Sequence, residues 1–282
     1  MTNANDIRPG LPDTTLTSPP RAEDYVGRIL SRISSIGLAL IFPLVLLVLW
    51  QIAADRGWVA EQILPAPAVV YASFLELADS GELLGHLAGS LARVAIAYAL
   101  AAAVGITFGV ALGLSPTLES FLAPLFEAYA QTPVIAWIPI GLLLFGISES
   151  LAVALICIAA FVPIAMNTFQ GVRHIPASYF EVASVYRFNA WQLLSKVVFP
   201  AALPAIVVGL RYGLTQAWLT LVAGELIGVE QGLGALLVQA RNLFQLDIVM
   251  VVILTLGIVG LALDKVFVWC ERRLLHWRKQ GF

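Results

Sequence analysis

Apolar residues come in long unbroken blocks along this chain, and polar residues collect in the intervals between them. Four stretches, residues 33–54, 94–118, 128–148 and 150–172, contain no Asp, Glu, Lys or Arg. Each meets the ~20 residues that an α-helix needs to cross ~30 Å of hydrocarbon. Two further blocks are interrupted by charge: residues 205–227 hold Arg211 and Glu225, and residues 248–270 hold Asp264 and Lys265. The pattern predicts an all-α membrane protein with about six transmembrane helices, over residues 33–54, 92–115, 122–147, 150–171, 205–227 and 248–270. Barrel strands alternate apolar and polar positions over about ten residues. These blocks are continuously apolar and rich in Leu, Ala and Val, which excludes a barrel.

Composition agrees. The hydrophobic fraction is 60% and the charged fraction 12%, against roughly 25% charged in soluble domains. One soluble core of this length cannot hide so much apolar surface, so lipid covers part of it. The net charge of −2 conceals an asymmetry. Arg8, Arg21, Arg28 and Arg32 precede the first span, Arg173, Arg187 and Lys196 lie after the fourth, and Arg272, Arg273, Arg278 and Lys279 close the chain. The other side carries mainly Arg56, Arg93 and Arg241, beside Asp55, Glu61, Glu76, Asp79, Glu82, Glu149, Glu230 and Asp247. Basic loops stay in the cytoplasm, which predicts cytoplasmic termini at both ends. Residues 1–30, rich in Pro, Thr and Ser, read as a disordered cytoplasmic tail, and residues 31–282 as the membrane domain. No cleavage signal precedes the first span, which reads as an uncleaved anchor.

Several intervals carry more than connection. Residues 63–67 (ILPAP) are extended by their prolines, and residues 69–78 read as an amphipathic helix with Val70, Phe74 and Leu77 on one face. The connection over residues 228–246 is polar and holds Gly228, Gly232 and Gly234. Gly105, Gly109 and Gly113 fall four apart on one face of the second span, where small residues let another helix approach closely; packing within the chain is preferred to a subunit interface. In the third span, Pro133 and Pro139 each remove a backbone donor, which membranes tolerate only where protein or a wet cavity satisfies the freed carbonyls. Glu127, Gln131, Thr132 and Trp137 surround that break and are candidates for a solute pathway or gate, as are Arg211, Gln216, Trp218 and Glu225. Intramembrane acids default to functional hypotheses, although Glu127 near a membrane face can equally be solvated there.

The interval over residues 173–203 is long for a connection. Phe180, Ala183, Val185, Phe188, Trp191, Leu194 and Val197 recur at helical spacing within it, and Pro200 and Pro204 are expected to close it before the next span. A part-apolar element facing the cytoplasm either lies on the headgroups or docks a partner. Nothing in the chain suggests a nucleotide site: Lys196, Lys265 and Lys279 lack the glycines and following Ser or Thr of a phosphate-binding loop. His86, His174 and His276 are scattered, and Cys157 and Cys270 have no ligand company, so no metal, cofactor or nucleic acid is expected.

The interval reads EVASVYRFNAWQLLSKVVFPAALP over residues 181–204. It resembles the cytoplasmic loop of membrane-spanning subunits of binding-protein-dependent ATP-binding-cassette importers, with Glu181, Ala183 and Pro200 in matching positions. Val182 replaces the family's first alanine, and Arg187 stands where the family usually has glycine. Residues 114–149, 161–172, 199–214 and 218–228 resemble the sulfonate, taurine and nitrate branch. The resemblance implies a type I importer bundle of which two copies form the pore in the inner membrane. Two ATP-binding subunits would dock on the loops through Glu181, Ala183, Tyr186, Arg187 and Phe188. A periplasmic or lipid-anchored binding protein would deliver a small anion, moved by alternating access. Glycine at the Arg187 position would permit a tight turn, so an arginine is expected to turn without positive φ or to offer a carboxylate or phosphate contact. The competing class is an ion-coupled secondary transporter, which needs carboxylates near the midplane.

Overall fold

A computed structural model describes residues 41–58, 60 and 63–275. The expected tail over residues 1–30 and the start of the first span lie outside the described residues, as do His276, Arg278 and Lys279. The chain divides into two units at Trp58. In the first, α1 (Ile41–Asp55) is an apolar helix, with Gln51 donating to Asp55 at 2.9 Å one turn on.

The second unit is helical throughout, with no strand among its described residues. It comprises α2 (Pro67–Asp79), α3 (Glu82–Leu114), α4 (Pro116–Ala130), a 3₁₀ turn (Val134–Trp137), α5 (Ile138–Phe145), α6 (Glu149–Arg173), α7 (Ala177–Val185), α8 (Ala190–Leu193), a π turn (Leu194–Val198), α9 (Phe199–Glu225), α10 (Leu233–Asn242) and α11 (Leu246–Leu274). Among the described residues, four helices are long and apolar enough to span, or five if the bent α4–α5 pair is one span.

Glycine sets the core. A Cβ on Gly109 would stand 2.6 Å from the Ala165 carbonyl and 2.7 Å from Thr168, and one on Gly113 2.7 Å from Val172. The stripe of Gly105, Gly109 and Gly113 therefore lets the α3 backbone press onto α6. On the other side of α6, Gly171 meets Ala202 and Ala205, Gly209 meets Asn167, and Gly213 meets Ile164. Contacts that rise together along α3 and α6 make them parallel, whereas α6 and α9 are antiparallel. We call the end bearing the N-termini of α3 and α6 the upper end.

Because α3 and α6 are parallel, the segment between them must return the chain from the lower end to the upper. The break at Gln131–Pro133 bends that return by 98° between α4 and the 3₁₀–α5 segment. The segment expected as a span over residues 122–147, with a break at its prolines, consists of two helices at a steep angle. Pro116 and Pro139 sit in first turns, where the missing donor has no intrahelical use, and Gly146 (φ 65°) ends α5.

Two further expectations need correction. Pro200 and Pro204 do not close the long loop. The chain is helical from Ala190 to Glu225, because the π turn places the Phe199 N–H on the Leu194 carbonyl just before Pro200 removes its own donor. The connection over residues 228–246 also contains a helix, α10. On α2, Val70 and Leu77 are buried but Phe74 is exposed; Ser73 turns inward instead and donates to Asp247 of α11 at 2.5 Å.

Candidate functional site: an exposed loop, two charged clusters and a broken helix

At the lower end, α7 is held by the buried Ala183 and by the half-buried Phe180, which packs on the core beside Ile175 and Val198, while Glu181, Val182, Val185 and Tyr186 are exposed. The helix stops in a Schellman motif: the Phe188 N–H donates to the Ala183 carbonyl at 3.0 Å and the Arg187 N–H to the Ser184 carbonyl at 3.0 Å. Such a motif places the intervening residue in the left-handed region, and Arg187 has φ 49°. The expectation that an arginine would turn here without positive φ is therefore wrong, because the helix end dictates the conformation whatever the side chain. Lys196 Nζ lies 5.4 Å over the Phe188 ring, and Tyr186 lies 6.1 Å from it. Asn189 and Gln192 then form a reciprocal capping box, which restarts the chain as α8. A left-handed non-glycine residue costs about 1–2 kcal/mol. Arg187→Gly is accordingly expected to raise the unfolding midpoint of the solubilised protein, by about 1 kcal/mol in stability. An unchanged or lowered midpoint would remove the strain argument.

At the upper end lies a cluster that hydropathy does not reveal. Arg93, expected on a solvated face, is 5% exposed, and Glu225 is 1% exposed. Arg93 Nη1 donates to Glu225. Its Nε and Nη2 grip the Glu149 carboxylate at 2.7–2.9 Å, and Nη2 also reaches the Gln231 carbonyl at 2.9 Å. Ser90 donates to Glu225 at 2.7 Å and accepts from the Leu233 N–H at 2.8 Å. The Gly234 N–H, at the start of α10, donates to Glu225 at 2.7 Å. His86 Nδ1 lies 3.0 Å from the Gly232 nitrogen and 2.8 Å from its carbonyl oxygen. A Cβ on Gly232 or Gly234 would run into Glu225, so the Gly-Leu-Gly step wraps the buried carboxylate. One guanidinium and its ring of donors thereby tie α3, α6, α9 and α10 together. Glu225 is enclosed by these partners. The signal in the sequence was the pair of glycines a few residues after a lone intramembrane acid.

A second ion pair joins α9 to α11. Arg211 Nε donates to Asp264 at 3.0 Å and Nη2 stands 2.9 Å from the same oxygen, while Glu271 is 4.0 Å from Nη1. Trp218 donates through Nε1 to the Leu256 carbonyl at 3.1 Å, an approach that the missing side chain of Gly260 permits. Between the helices runs a slot of about 470 Å³. Gln216 is exposed one residue before the buried Ala217 and does not line that slot.

The break between α4 and α5 makes the third locus. Glu127 and Gln131 border a lower-end cavity of about 850 Å³ with Gln170, Arg173 and His174 of α6 and its cap. Arg173 pairs with Glu119. Thr132 is exposed in the bend. Trp137 lies 5.5 Å from Tyr129 with the rings tilted by 52°, and Tyr129 joins Phe126, Phe161 and Phe108 in a run of rings behind the break. The eight pathway candidates therefore occupy separate places: Glu127 and Gln131 share a cavity, Arg211 and Trp218 a slot, and Glu225 a closed clamp.

Fold and sites together define a multi-pass helical membrane protein with one structured, uncovered loop at its lower end. The chain belongs to the binding-protein-dependent transport system inner membrane component family, whose pattern matches residues 101–276. It is similar to a putative aliphatic sulfonates transport permease, SsuC of Bacillus subtilis strain 168, at 39% identity over 85% of this chain and 87% of the relative. It is 35% identical to the taurine transport system permease TauC of Escherichia coli K12, over 83% and 86%, and 38% identical to the riboflavin transport system permease RibX of Chloroflexus aurantiacus, over 83% and 87%. Its fold matches a chain of the MetNI methionine ABC transporter in an inward-facing form, with a TM-score of 0.56 at 20% identity over 69% of this chain and 94% of that one. The protein is thus an inner-membrane permease subunit, a transport component whose ATPase is a separate chain, and the ion-coupled alternative falls away. Membership implies an ATPase and a binding protein as partners.

Proposed function

We propose that two copies of this chain form the pore of an ATP-driven importer of small sulfonates, with the lower end in the cytoplasm along with both termini. Each copy would seat one ATPase subunit on α7 and the turn after it. The observation that carries this reading is that loop: α7 is anchored by Ala183 and the half-buried Phe180 while Glu181, Val182, Val185 and Tyr186 are exposed, and a capping box and Schellman motif give it a fixed shape. Preorganised surface of this kind binds with little ordering cost. ATP-driven approach of the two ATPases would move the loops and select between inward-open and outward-open bundles, since a ligand shifts such an equilibrium by its differential affinity. Glu127, Gln131 and Thr132, in and beside the broken return segment, are the gate candidates. The binding protein would dock at the upper end.

The solute class follows the names of relatives, among which sulfonate and taurine permeases stand beside a riboflavin permease of similar identity. Uptake into liposomes holding this chain with its ATPase and binding protein tests it. ATP-dependent accumulation of ethanesulfonate or taurine is expected, without accumulation of riboflavin. Riboflavin uptake without sulfonate uptake would reassign the solute. Uptake driven by an ion gradient in the absence of ATP would refute the importer.

A further inference from the structure

Arg187 strains the turn it occupies and contributes no polar contact to the fold. Among the described residues, positive φ otherwise falls on glycine, with Phe244 the one other exception. The Schellman end of α7 holds Arg187 at φ 49° whatever its side chain is, so glycine would serve the turn at lower cost. The Arg187 side chain is exposed and has no hydrogen bond or ion pair among the described residues, with Glu181 or any other acid. Strain that the fold does not use collects at functional sites.

The turn also stands clear of the bilayer. The charge-free run of α6 ends at Arg173, and at ~1.5 Å per residue that run matches the ~30 Å of hydrocarbon. Gly171 meets Ala202 at this level. From Ala202 the helix continues downward through the π turn to its cap at Asn189. That distance is about 20 Å at the α-helical rise, against the ~5–8 Å of a headgroup layer. Arg187 directly precedes Phe188 and that cap, so water or protein faces it rather than lipid.

Its neighbours favour protein. Val185 and Tyr186 are 79% and 72% exposed, and Lys196 lies over the Phe188 ring. Over residues 174–203 the only acid is Glu181, so the patch is apolar and cationic. A partner that covers Val185 and Tyr186 strips water from Arg187, and an unmatched guanidinium there opposes binding. A carboxylate removes that penalty, and the guanidinium fork holds one by two parallel hydrogen bonds. We infer that Arg187 takes a carboxylate of the ATPase subunit and so selects an ATPase that carries this acid over one that lacks it. The inference rests on the proposed docking of an ATPase at α7, and adds the residue that decides which ATPase fits.

The test measures the affinity of the permease, in nanodiscs, for its ATPase without nucleotide. Arg187→Gly is expected to raise the unfolding midpoint of the permease alone and yet to weaken ATPase binding at least tenfold. A residue that only shapes the loop would move both in the same direction. Arg187→Glu is expected to weaken binding at least a hundredfold. Changing one Asp or Glu of the ATPase to Arg, found by scanning its acidic residues, is expected to restore at least tenfold of that loss. Nanodiscs of phosphatidylcholine and of phosphatidylglycerol separate partner from lipid, and the loss is expected in both. Wild-type binding by Arg187→Gly, a loss confined to phosphatidylglycerol, or a scan without rescue overturns the inference. Wild-type binding by both Arg187→Gly and Glu181→Lys overturns the docking reading with it, whereas a loss in Glu181→Lys alone removes only the role of Arg187.

Discussion

Arg93→Ala is expected to destabilise the permease by about 3–5 kcal/mol, because it leaves the buried Glu225 carboxylate without its cation. A loss of that size exceeds most single substitutions and should appear as a sharp fall in folded protein by fluorescence-detected size exclusion after mild heating. The geometry separates the two carboxylates. Glu225 has a fully buried side chain, whereas that of Glu149 keeps 63% of its surface. Glu149→Ala is therefore expected to cost under about 1 kcal/mol, as exposed pairs do. Pairing Arg93→Ala with Glu225→Gln should recover part of the loss, since the uncompensated charge is then gone. If Arg93→Ala alone heats like wild type, the upper cluster does not hold the bundle.

Glu181→Lys is expected to leave the protein folded in the membrane and to abolish solute-stimulated ATP hydrolysis. Glu181 is exposed on α7 and its carboxylate has no ion pair among the described residues, so reversing it disturbs no internal contact. At an interface, like charges set against each other cost several kcal/mol, enough to reduce ATPase docking by orders of magnitude. Hydrolysis by the reconstituted complex, with and without loaded binding protein, reads the effect directly. Wild-type stimulation in the variant would refute the docking role, and a variant that no longer reaches the membrane would show that Glu181 is structural after all.

Hydropathy found the long helices because bilayer-crossing segments need continuous apolar length, and the glycine stripe on α3 was legible because helix contact needs a repeat of four. What escaped has a common physical origin. A window over the sequence counts a charge at full cost. Burial discounts that charge when its partner arrives from elsewhere in the chain, and here Arg93 meets Glu225 132 residues away. That is why the charge-free run after Arg93 looked like the start of a span, although α3 already begins at Glu82. The prolines misled for a related reason. A local π turn removes the conflict at Pro200, and Pro204 is carried inside α9 itself. At Arg187, side-chain identity argued against a left-handed turn, yet two backbone hydrogen bonds at the end of α7 override it. Grouping of the pathway candidates was likewise invisible, because helix-by-helix reading cannot tell that Glu225 is walled in while Arg211 opens onto a slot.

The uninterrupted helix from Ala190 to Glu225 has a mechanical consequence. Its 36 residues make a rod of about 54 Å at ~1.5 Å per residue, anchored at its upper tip by the Arg93 cluster and continuous at its lower tip with the turn that presents Arg187. The rod is also packed against α6 through Gly171, Gly209 and Gly213, so the two helices tilt together as one stiff unit. Each degree of tilt about the upper tip then sweeps the lower tip through about 1 Å over that length, and the turn that presents Arg187 takes the whole of the stroke.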